Sequence, residues 1–224
     1  MNRTVRSIRT EPNPGRNALL FFVRDERDEA QRKPLPAVAA GGGRQGYRRL
    51  NRMLLSRLEE LEKRGIDLIV VSASTTAPSG ATPYLTQRGE TFGERITNGA
   101  ADAFQLGYHN VVVVGNDCPD ISPNDIQQAF DLLAGGANYV GAPTRDGGAF
   151  LVGLRHDSSR SPFRNLSWQT SELFSELCLL PDAVALNVIR EDFDSWLGPN
   201  ALRALTNLFL SSLYSRPQFF PAHP

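Results

Sequence analysis

The sequence has little of what several classes of protein require. It contains only two cysteines in 224 residues, Cys118 and Cys178, which are too few for a disulfide framework and are not a C-x-x-C pair. Its three histidines are dispersed, without zinc-site or triad spacing. No apolar run approaches the roughly 18 residues that a membrane-spanning helix needs. We therefore expect a cytoplasmic protein with reduced thiols and no membrane span.

The chain also lacks an excess of either charge, since 24 Lys and Arg balance 24 Asp and Glu. Nothing therefore draws the whole molecule to nucleic acid or to an anionic membrane, and we expect no nucleic-acid partner. Residues 1–64 nevertheless carry 15 basic and 8 acidic residues. A basic half could contact phosphates, although a solvated helix face accounts for most charges of this kind.

What the sequence does contain is a regular alternation of strand and helix patterns. Apolar runs at 18–23, 67–72 and 111–114 are typical of strands buried on both faces. Apolar residues recur at helical spacing over 47–61 and 92–104. Further strands are predicted over 139–142, 149–154 and 184–188, further helices over 123–134, 170–179 and 200–213, and loops over 24–35 and 73–83. This order predicts an α/β fold with three layers, α/β/α, around a mostly parallel mixed sheet.

The same patterns predict one domain over residues 17–215. The segments 1–16 and 216–224 are expected to be flexible termini. The first of these is polar and broken by prolines, without the apolar region of a signal peptide. An apolar stretch over 202–214 could pack on the core or on a second subunit, so the sequence allows a homodimer.

The strongest candidate site follows the third strand, at Gly115-Asn116-Asp117-Cys118-Pro119-Asp120. Ligands of open parallel sheets bind at the carboxyl ends of the strands. Asp117 leaves an apolar strand, and a carboxylate at such an edge needs a partner. A divalent cation shared with a diphosphate is a suitable one, since Mg²⁺ usually takes one or two carboxylates plus phosphate oxygens. Alternatively, these carboxylates only cap the turn or the next helix.

A second candidate is the turn Arg145-Asp146-Gly147-Gly148 between two predicted strands. It could be a plain hairpin turn. Its glycines would also let the backbone approach a sugar or a phosphate closely. Asp146 could bind sugar hydroxyls, act as a base or complete a metal site, and the sequence does not choose among these roles.

Two further stretches hold candidate phosphate ligands. After the first strand, Arg24, Arg32 or Lys33 could hold a diphosphate, or could belong to a solvated loop. A glycine-bearing loop then leads into a helix N-terminus beside Arg95, which is a natural anion site. Thr91 and Glu94 at that helix start are better explained as a capping box.

A last stretch, Trp168-Gln169-Thr170, could line the pocket. Trp168 could stack on a ligand and Thr170 could lie beside it. A tryptophan is more often part of the core or a packing anchor.

Several blocks, taken in order, resemble a bacterial family of uncharacterised GT-A-like proteins that are often described as glycosyltransferases or radical-SAM/selenodomain-associated transferases. The blocks are 87–89 with 92–95, 107–108, 113–119, 146–154 and 168–170. The resemblance implies the GT-A fold of nucleotide-diphospho-sugar transferases. It also places Asp117 at the metal-binding acid, with Arg24 and Lys33 on the nucleotide side.

The sequence departs from the family in two places. The segment 25–33 is charged and lacks glycine, whereas the family often has a Pro-Gly-Arg segment before a Lys-Thr-Arg. Many GT-A enzymes have an Asp-x-Asp, whereas Asp117 and Asp120 are three residues apart. These differences leave the nucleotide contacts and the second metal ligand open.

Three functions follow from these observations. The first is a metal-dependent glycosyltransferase with a nucleotide-diphospho-sugar donor, in which Asp117 holds Mg²⁺ or Mn²⁺ and Asp146 orients or deprotonates the acceptor. The second is a nucleotidyltransferase that couples a nucleoside triphosphate to a phosphorylated small molecule, with Lys33 neutralising charge. Such enzymes usually have a glycine-rich loop after the first strand, and its absence favours the first function. The third is a nucleotide-binding protein without turnover.

Overall fold

The structure is a computed structural model that describes residues 16–33, 43–74, 83–191 and Thr206. Most of the predicted strands and helices within these ranges are confirmed. The strands are β1 Asn17–Val23, β2 Ile66–Ser72, β3 Tyr84–Thr86, β4 Asn110–Val114, β5 Tyr139–Pro143, β6 Ala149–Arg155 and β7 Ala183–Ala185. The helices are α1 Glu26–Arg32, α2 Gly43–Leu58, α3 Phe92–Gln105, α4 Pro123–Ala134, α5 Arg160–Arg164 and α6 Leu173–Cys178, with a 3-10 helix over Glu59–Arg64.

The described strands form one sheet in the order β3-β2-β1-β4-β6-β5-β7. The pairs β1/β2, β1/β4, β2/β3 and β5/β7 are parallel, whereas β6 is antiparallel to both of its neighbours. The predicted mostly parallel mixed sheet is therefore confirmed. Because β6 is reversed, it starts at the edge where β1, β2, β4 and β5 end.

Helices cover the sheet on both faces. Alternate residues of β1 point to opposite sides, so that Leu19 and Phe21 pack with α2 and α4, while Leu20 and Phe22 pack with α3. Burial of these two apolar faces explains the predicted three layers, α/β/α, which are confirmed. Among the described residues, no helix has the length and apolar character needed to cross a membrane.

Local sequence signals set several of the helix boundaries. Capping boxes start two helices, Thr91 with Glu94 at α3 and Ser122 with Asp125 at α4. Gly65 ends the 3-10 helix with φ of 77°, a conformation that glycine adopts without steric cost. All three signals lie in the local sequence, and each sets the residue at which its helix begins or ends.

The prediction of a loop over 24–35 is wrong. Residues 26–32 form α1, whose start is capped by Asp25, with Oδ1 accepting from the backbone N–H of Arg27 at 2.8 Å. Glu26 and Glu29 of this helix are buried. The sequence also did not predict β3 or α5, and the strand predicted over 184–188 is the shorter β7.

Several predictions fall on parts of the chain that the structure does not describe. These are the two flexible termini, most of the loop over 73–83 and, apart from Thr206, the helix over 200–213. The allowance for a homodimer depended on the segment 202–214 and therefore stays a prediction.

Candidate active site at the carboxyl edge of the sheet

The Asp117 turn lies where β4 ends, beside the end of β1. The register pairs Phe21 with Val114, so both chains leave the sheet at the same edge. A Cβ built on Gly115 would lie 2.6 Å from Oδ1 of Asp117. The Asp117 carboxylate thus folds back over a glycine backbone, and it is partly exposed at the edge of a buried strand.

Neighbouring contacts fix this turn from the α2 side. Asn116 is buried and its Nδ2 donates to Oδ1 of Asn51 at 2.9 Å. Nη1 of Arg57 donates to the carbonyl of Pro119 at 2.7 Å. Asn116, predicted as a possible pocket residue, therefore anchors the turn to α2.

Asp120 points toward the start of α4. Its Oδ1 accepts from the Cys118 thiol at 3.1 Å, and its Oδ2 lies 3.4 Å from Nη1 of Arg190. Burial raises the pKa of the Cys118 thiol, and the carboxylates of Asp120 and Asp117 raise it further. These contacts tie Asp120 to other side chains of the protein, and the cap of α4 is formed by Ser122 with Asp125 and not by Asp120.

The segment after β1 brings the predicted cations to the Asp117 side. Arg24 Nε lies 3.9 Å from Oε2 of Glu29, and the hydroxyl of Tyr47 donates to the carbonyl of Lys33 at 2.6 Å. Burial raises the pKa of Glu29; Arg24 and Lys33 oppose this shift, and Asp117 adds to it. The charges of Arg24, Lys33 and Asp117 all act at Glu29, and Arg24 and Asp117 follow neighbouring strands at one edge of the sheet.

Glu29 is a candidate site residue that was not predicted from the sequence. The signal was present, because Asp25 followed by Glu26, Asp28 and Glu29 is typical of a helix N-terminus. In a helix, Glu29 and Lys33 share a face at i,i+4 spacing. Treating the segment as a loop hid this face.

The Asp146 turn forms the opposite side of the edge. Oδ1 of Asp146 accepts from Oγ1 of Thr144 at 2.5 Å and from the backbone N–H of Gly148 at 3.1 Å. Gly147 has φ of 94°, and a Cβ there would lie 2.3 Å from the carbonyl oxygen of Ser171. The hairpin interpretation explains both glycines by contacts within the chain, and their phosphate contacts stay a prediction.

Asp146 lies in the turn that joins β5 to β6, and β6 is the direct neighbour of β4, which Asp117 follows. Both carboxylates therefore belong to the same edge of the sheet. No group of three or more His, Cys, Asp or Glu able to hold a metal occurs among the described residues.

The remaining predicted residues hold loops of the chain itself. Arg95 Nε donates to the carbonyl of Gly89 at 3.0 Å. The ring of Trp168 packs edge-on against Phe163, with centroids 5.2 Å apart, and the core interpretation of this side chain is thereby favoured.

Exposed side chains complete the rim. Thr170 Oγ1 donates to the carbonyl of Ser167 at 2.7 Å. Arg145 is exposed and pairs with Glu191 at 2.8 Å. Gln87 was not predicted as a site residue; its Nε2 donates to the carbonyls of Val23 and Val71 and so joins the ends of β1 and β2.

This architecture, with an acid after the central parallel strand, defines an α/β protein of the nucleotide-diphospho-sugar transferase type of fold. Residues 67–170 match the model of a family described as "Uncharacterized protein conserved in bacteria (DUF2064)". The matched stretch includes both Asp117 and Asp146, and over it the resemblance seen in the sequence is confirmed. No curated protein matches the chain in sequence.

Solved structures agree with the fold. The chain is similar to a provisionally assigned nucleotide-diphospho-sugar transferase from Desulfovibrio desulfuricans G20, with 21% identity, a TM-score of 0.64 and coverage of 87% of this chain and 95% of the other. It is similar to a CMP:2-keto-3-deoxy-manno-octonic acid synthetase complexed with CTP, with 11% identity, a TM-score of 0.57 and coverage of 88% and 99%. The chain is also similar to the 4-diphosphocytidyl-2C-methyl-D-erythritol synthase of Anaerococcus prevotii DSM 20548, with 12% identity, a TM-score of 0.51 and coverage of 87% of this chain and 97% of the other. At these identities the likeness establishes the fold.

Proposed function

We propose that this protein is a glycosyltransferase that binds a nucleotide-diphospho-sugar and a divalent cation, Mg²⁺ or Mn²⁺, between Arg24 and Asp117. The observation that carries the proposal is that Arg24 directly follows β1 and Asp117 follows the neighbouring β4 at the same edge of the sheet, with Lys33 at the end of the helix that comes after Arg24. Crevices of this kind bind ligands in open parallel sheets.

The two cations suit the diphosphate. Arg24 offers a planar fork of donors and Lys33 a compact charge, and both forms of contact are used for phosphate oxygens. The hydrogen bond from Tyr47 to the Lys33 carbonyl holds the end of α1 in place. Pre-positioned cations of this sort stabilise negative charge without having to reorganise during the reaction.

Asp117 fits a divalent cation. It is partly exposed, as a ligand that shares its ion with phosphate oxygens and water must be. A cation bound there would neutralise the charge that develops on the leaving diphosphate.

Asp146 suits the acceptor. Hydrogen bonds from Thr144 and Gly148 to Oδ1 hold its carboxylate in one orientation. A carboxylate so fixed can position an acceptor hydroxyl or take its proton. The turn that holds Asp146 lies at the same edge of the sheet as Asp117.

A nucleotidyltransferase is the second candidate, favoured by the shared fold with the synthetase that was solved with CTP. The same cations would then hold a triphosphate. The helix α1 directly after β1, where such enzymes usually have a glycine-rich loop, keeps glycosyl transfer as the first choice. A third candidate is nucleotide binding without turnover.

Titration with nucleoside triphosphates and nucleotide-sugars in the presence of Mn²⁺ separates these functions. Binding and slow hydrolysis of a nucleotide-sugar support glycosyl transfer, whereas pyrophosphate release from a triphosphate with a phosphorylated acceptor supports nucleotidyl transfer. Binding without either product supports the third candidate.

The variant Asp117→Asn tests the site itself. We expect metal-dependent nucleotide binding to weaken by more than about tenfold. Asp131→Asn is the matched control, because Asp131 is an exposed carboxylate on the distal part of α4. Equal nucleotide and Mn²⁺ affinities in the wild type and Asp117→Asn overturn the assignment of Asp117.

A further inference from the structure

Gln169, in the loop between α5 and α6, has a backbone conformation that glutamine rarely adopts, with a φ of 64° in the left-handed region. In the part of the chain that the structure describes, Asp182 is the other non-glycine residue with a positive φ, of 58°. Asp182 is an ordinary case, because aspartate visits this region more readily and its Oδ2 accepts from Nδ2 of Asn138 at 2.9 Å. Gln169 differs, since it is exposed and its amide makes no hydrogen bond with the described residues.

The loop around Gln169 is held on both sides of this residue. The backbone N–H and Oγ of Ser167 both donate to the carboxylate of Glu176, each at 2.7 Å. Oγ1 of Thr170 donates back to the carbonyl of Ser167 at 2.7 Å, so the chain is closed around Gln169. A strained backbone persists only where its surroundings impose it, and such residues cluster at active sites and ligand clamps.

Two close contacts place this loop at the carboxyl edge of the sheet. On one side, a Cβ built on Gly93 at the start of α3 would lie 2.5 Å from Cδ1 of Trp168. On the other side, the backbone N–H of Phe174 donates to the carbonyl of Gly147 at 3.1 Å. Helix α3 begins after the carboxyl end of β3, and Gly147 belongs to the Asp146 turn. The loop that carries Gln169 therefore lies at the rim of the candidate site, between α3 and that turn.

We propose that the amide of Gln169 binds hydroxyl groups of the sugar that is transferred. This rests on the proposed function, in which the nucleotide-diphospho-sugar binds between Arg24 and Asp117. Strand β6 neighbours β4 on the side away from β1, so a sugar that extends from the diphosphate toward Asp146 reaches the Gln169 loop. A carboxamide offers two N–H donors and an acceptor oxygen on one flat group, which matches neighbouring hydroxyls of a sugar.

The competing role for Gln169 is structural, as a link that only shapes the loop. The two roles separate because the backbone and the amide can be changed independently. Gln169→Gly removes both the amide and the strain, whereas Gln169→Ala removes the amide and keeps the strain, since only glycine adopts a positive φ without steric cost. Gln169→Asn keeps a carboxamide on a residue that tolerates the left-handed region.

The experiment titrates the full chain, with Mn²⁺ present, with a panel of nucleotide-sugars that includes UDP-glucose and GDP-mannose, and with their nucleoside diphosphates. The ratio of the two affinities isolates the contribution of the sugar. We expect Gln169→Gly and Gln169→Ala to lower this ratio about tenfold without changing the affinity for the nucleoside diphosphate, and Gln169→Asn to lower it less. Of the first two variants, only Gln169→Gly should raise the melting temperature. Asp182→Gly is the control, because it changes the other left-handed residue, at the opposite edge of the sheet, and should keep the wild-type ratio.

The outcomes separate this inference from the proposed function. A lowered ratio in both Gln169→Gly and Gln169→Ala, with unchanged affinity for the nucleoside diphosphate, supports the contact with the sugar. Wild-type ratios in both variants, together with weakened nucleotide binding in Asp117→Asn, overturn the role of Gln169 and leave the proposed function standing. A loss in Gln169→Gly without a loss in Gln169→Ala assigns the effect to the backbone and also overturns that role. A wild-type protein that binds neither nucleotide-sugars nor nucleoside diphosphates overturns the proposed function itself.

Discussion

The guanidinium group of Arg190 binds the carboxylate of Asp125 through two nitrogens, with Nη2 at 2.8 Å and Nε at 3.2 Å from Oδ2. Its third nitrogen lies 3.4 Å from Asp120. The backbone of Arg190 also pairs with the hairpin, because its N–H donates to the carbonyl of Pro143 and its carbonyl accepts from the N–H of Arg145. One residue thus joins the Asp117 turn, the start of α4 and the Asp146 turn.

Replacing Arg190 by Gln should destabilise the protein by about 1–3 kcal/mol, because Asp125 would keep a largely buried charge without its partner. The side chain of Asp125 is 11% exposed and that of Arg190 25% exposed. Urea unfolding measures the loss. Arg145→Gln is the control, since Arg145 is 70% exposed and its ion pair with Glu191 should contribute less than about 1 kcal/mol. Equal losses in the two variants would contradict the role given to Arg190.

Gly147→Ala should destabilise the protein by about 2 kcal/mol or more, since it combines a positive φ with a clash against backbone. The φ is 94°, and the new Cβ would lie 2.3 Å from the carbonyl oxygen of Ser171. Gly136→Ala is the matched variant, with φ of 110° and nothing within 4 Å. It should cost about 1 kcal/mol for the backbone alone. Equal losses of unfolding free energy in the two variants would show that the backbone at Ser171 moves aside at little cost.

Gly115→Ala should weaken Mn²⁺ and nucleotide binding while changing stability by less than about 1 kcal/mol. The added methyl group would lie 2.6 Å from Oδ1 of Asp117, so the carboxylate must rotate away. Calorimetric titration measures the affinity. Gly99→Ala serves as the control, because its Cβ would meet neighbours only at 3.5 Å or more. Unchanged affinity in Gly115→Ala would mean that Asp117 does not act from the conformation described.

Glu94→Gln should flatten the dependence of stability on pH in the acid range. Hydrogen bonds from the N–H groups of Glu90 and Thr91 hold the pKa of Glu94 below its ordinary value of 4.5, and Arg164 contributes further. A carboxylate with a lowered folded-state pKa contributes stability above its ordinary pKa, and this contribution is lost as the pH falls through the lowered value.

The measurement for Glu94 is the melting temperature between about pH 5 and pH 3. The wild type should lose stability more steeply than Glu94→Gln. Glu60→Gln, which removes an exposed i,i+4 ion pair with Arg64, should keep the wild-type slope. If Glu94→Gln also keeps that slope, the capping carboxylate does not titrate as described.

The sequence predicted the sheet and its carboxyl edge well because apolar runs such as 111–114 read directly as buried strands. The capping box of Thr91 and Glu94 was equally legible, since it depends on residues three apart. The antiparallel pairing of β5 with β6 agrees with the hairpin turn that the sequence offered as one interpretation of residues 145–148. These features depend on residues that are close together in the chain, so they can be recognised from the sequence alone.

The site was less predictable because its side chains take their roles from distant partners. The Asp120 carboxylate contacts Arg190, which is 70 residues further along the chain. Trp168 packs against Phe163 and Phe92. Glu29 was not predicted as a site residue because the many charges over 24–33 favour a solvated loop. The helix over 26–32 buries Glu26 and Glu29 only through its packing against α2. Long-range contacts of this kind leave no periodic trace in the chain.

The chain carries its own chemical probe for the Asp117 turn. Its two thiols differ sharply, since Cys118 is 1% exposed and Cys178 lies on the surface. A thiol reagent should therefore modify Cys178 before Cys118, which it reaches only when the turn opens. In a Cys178→Ser background, the rate of Cys118 labelling measures how often that turn opens. A ligand that holds the turn closed would lower this rate, so binding could be detected even for a compound that is not turned over.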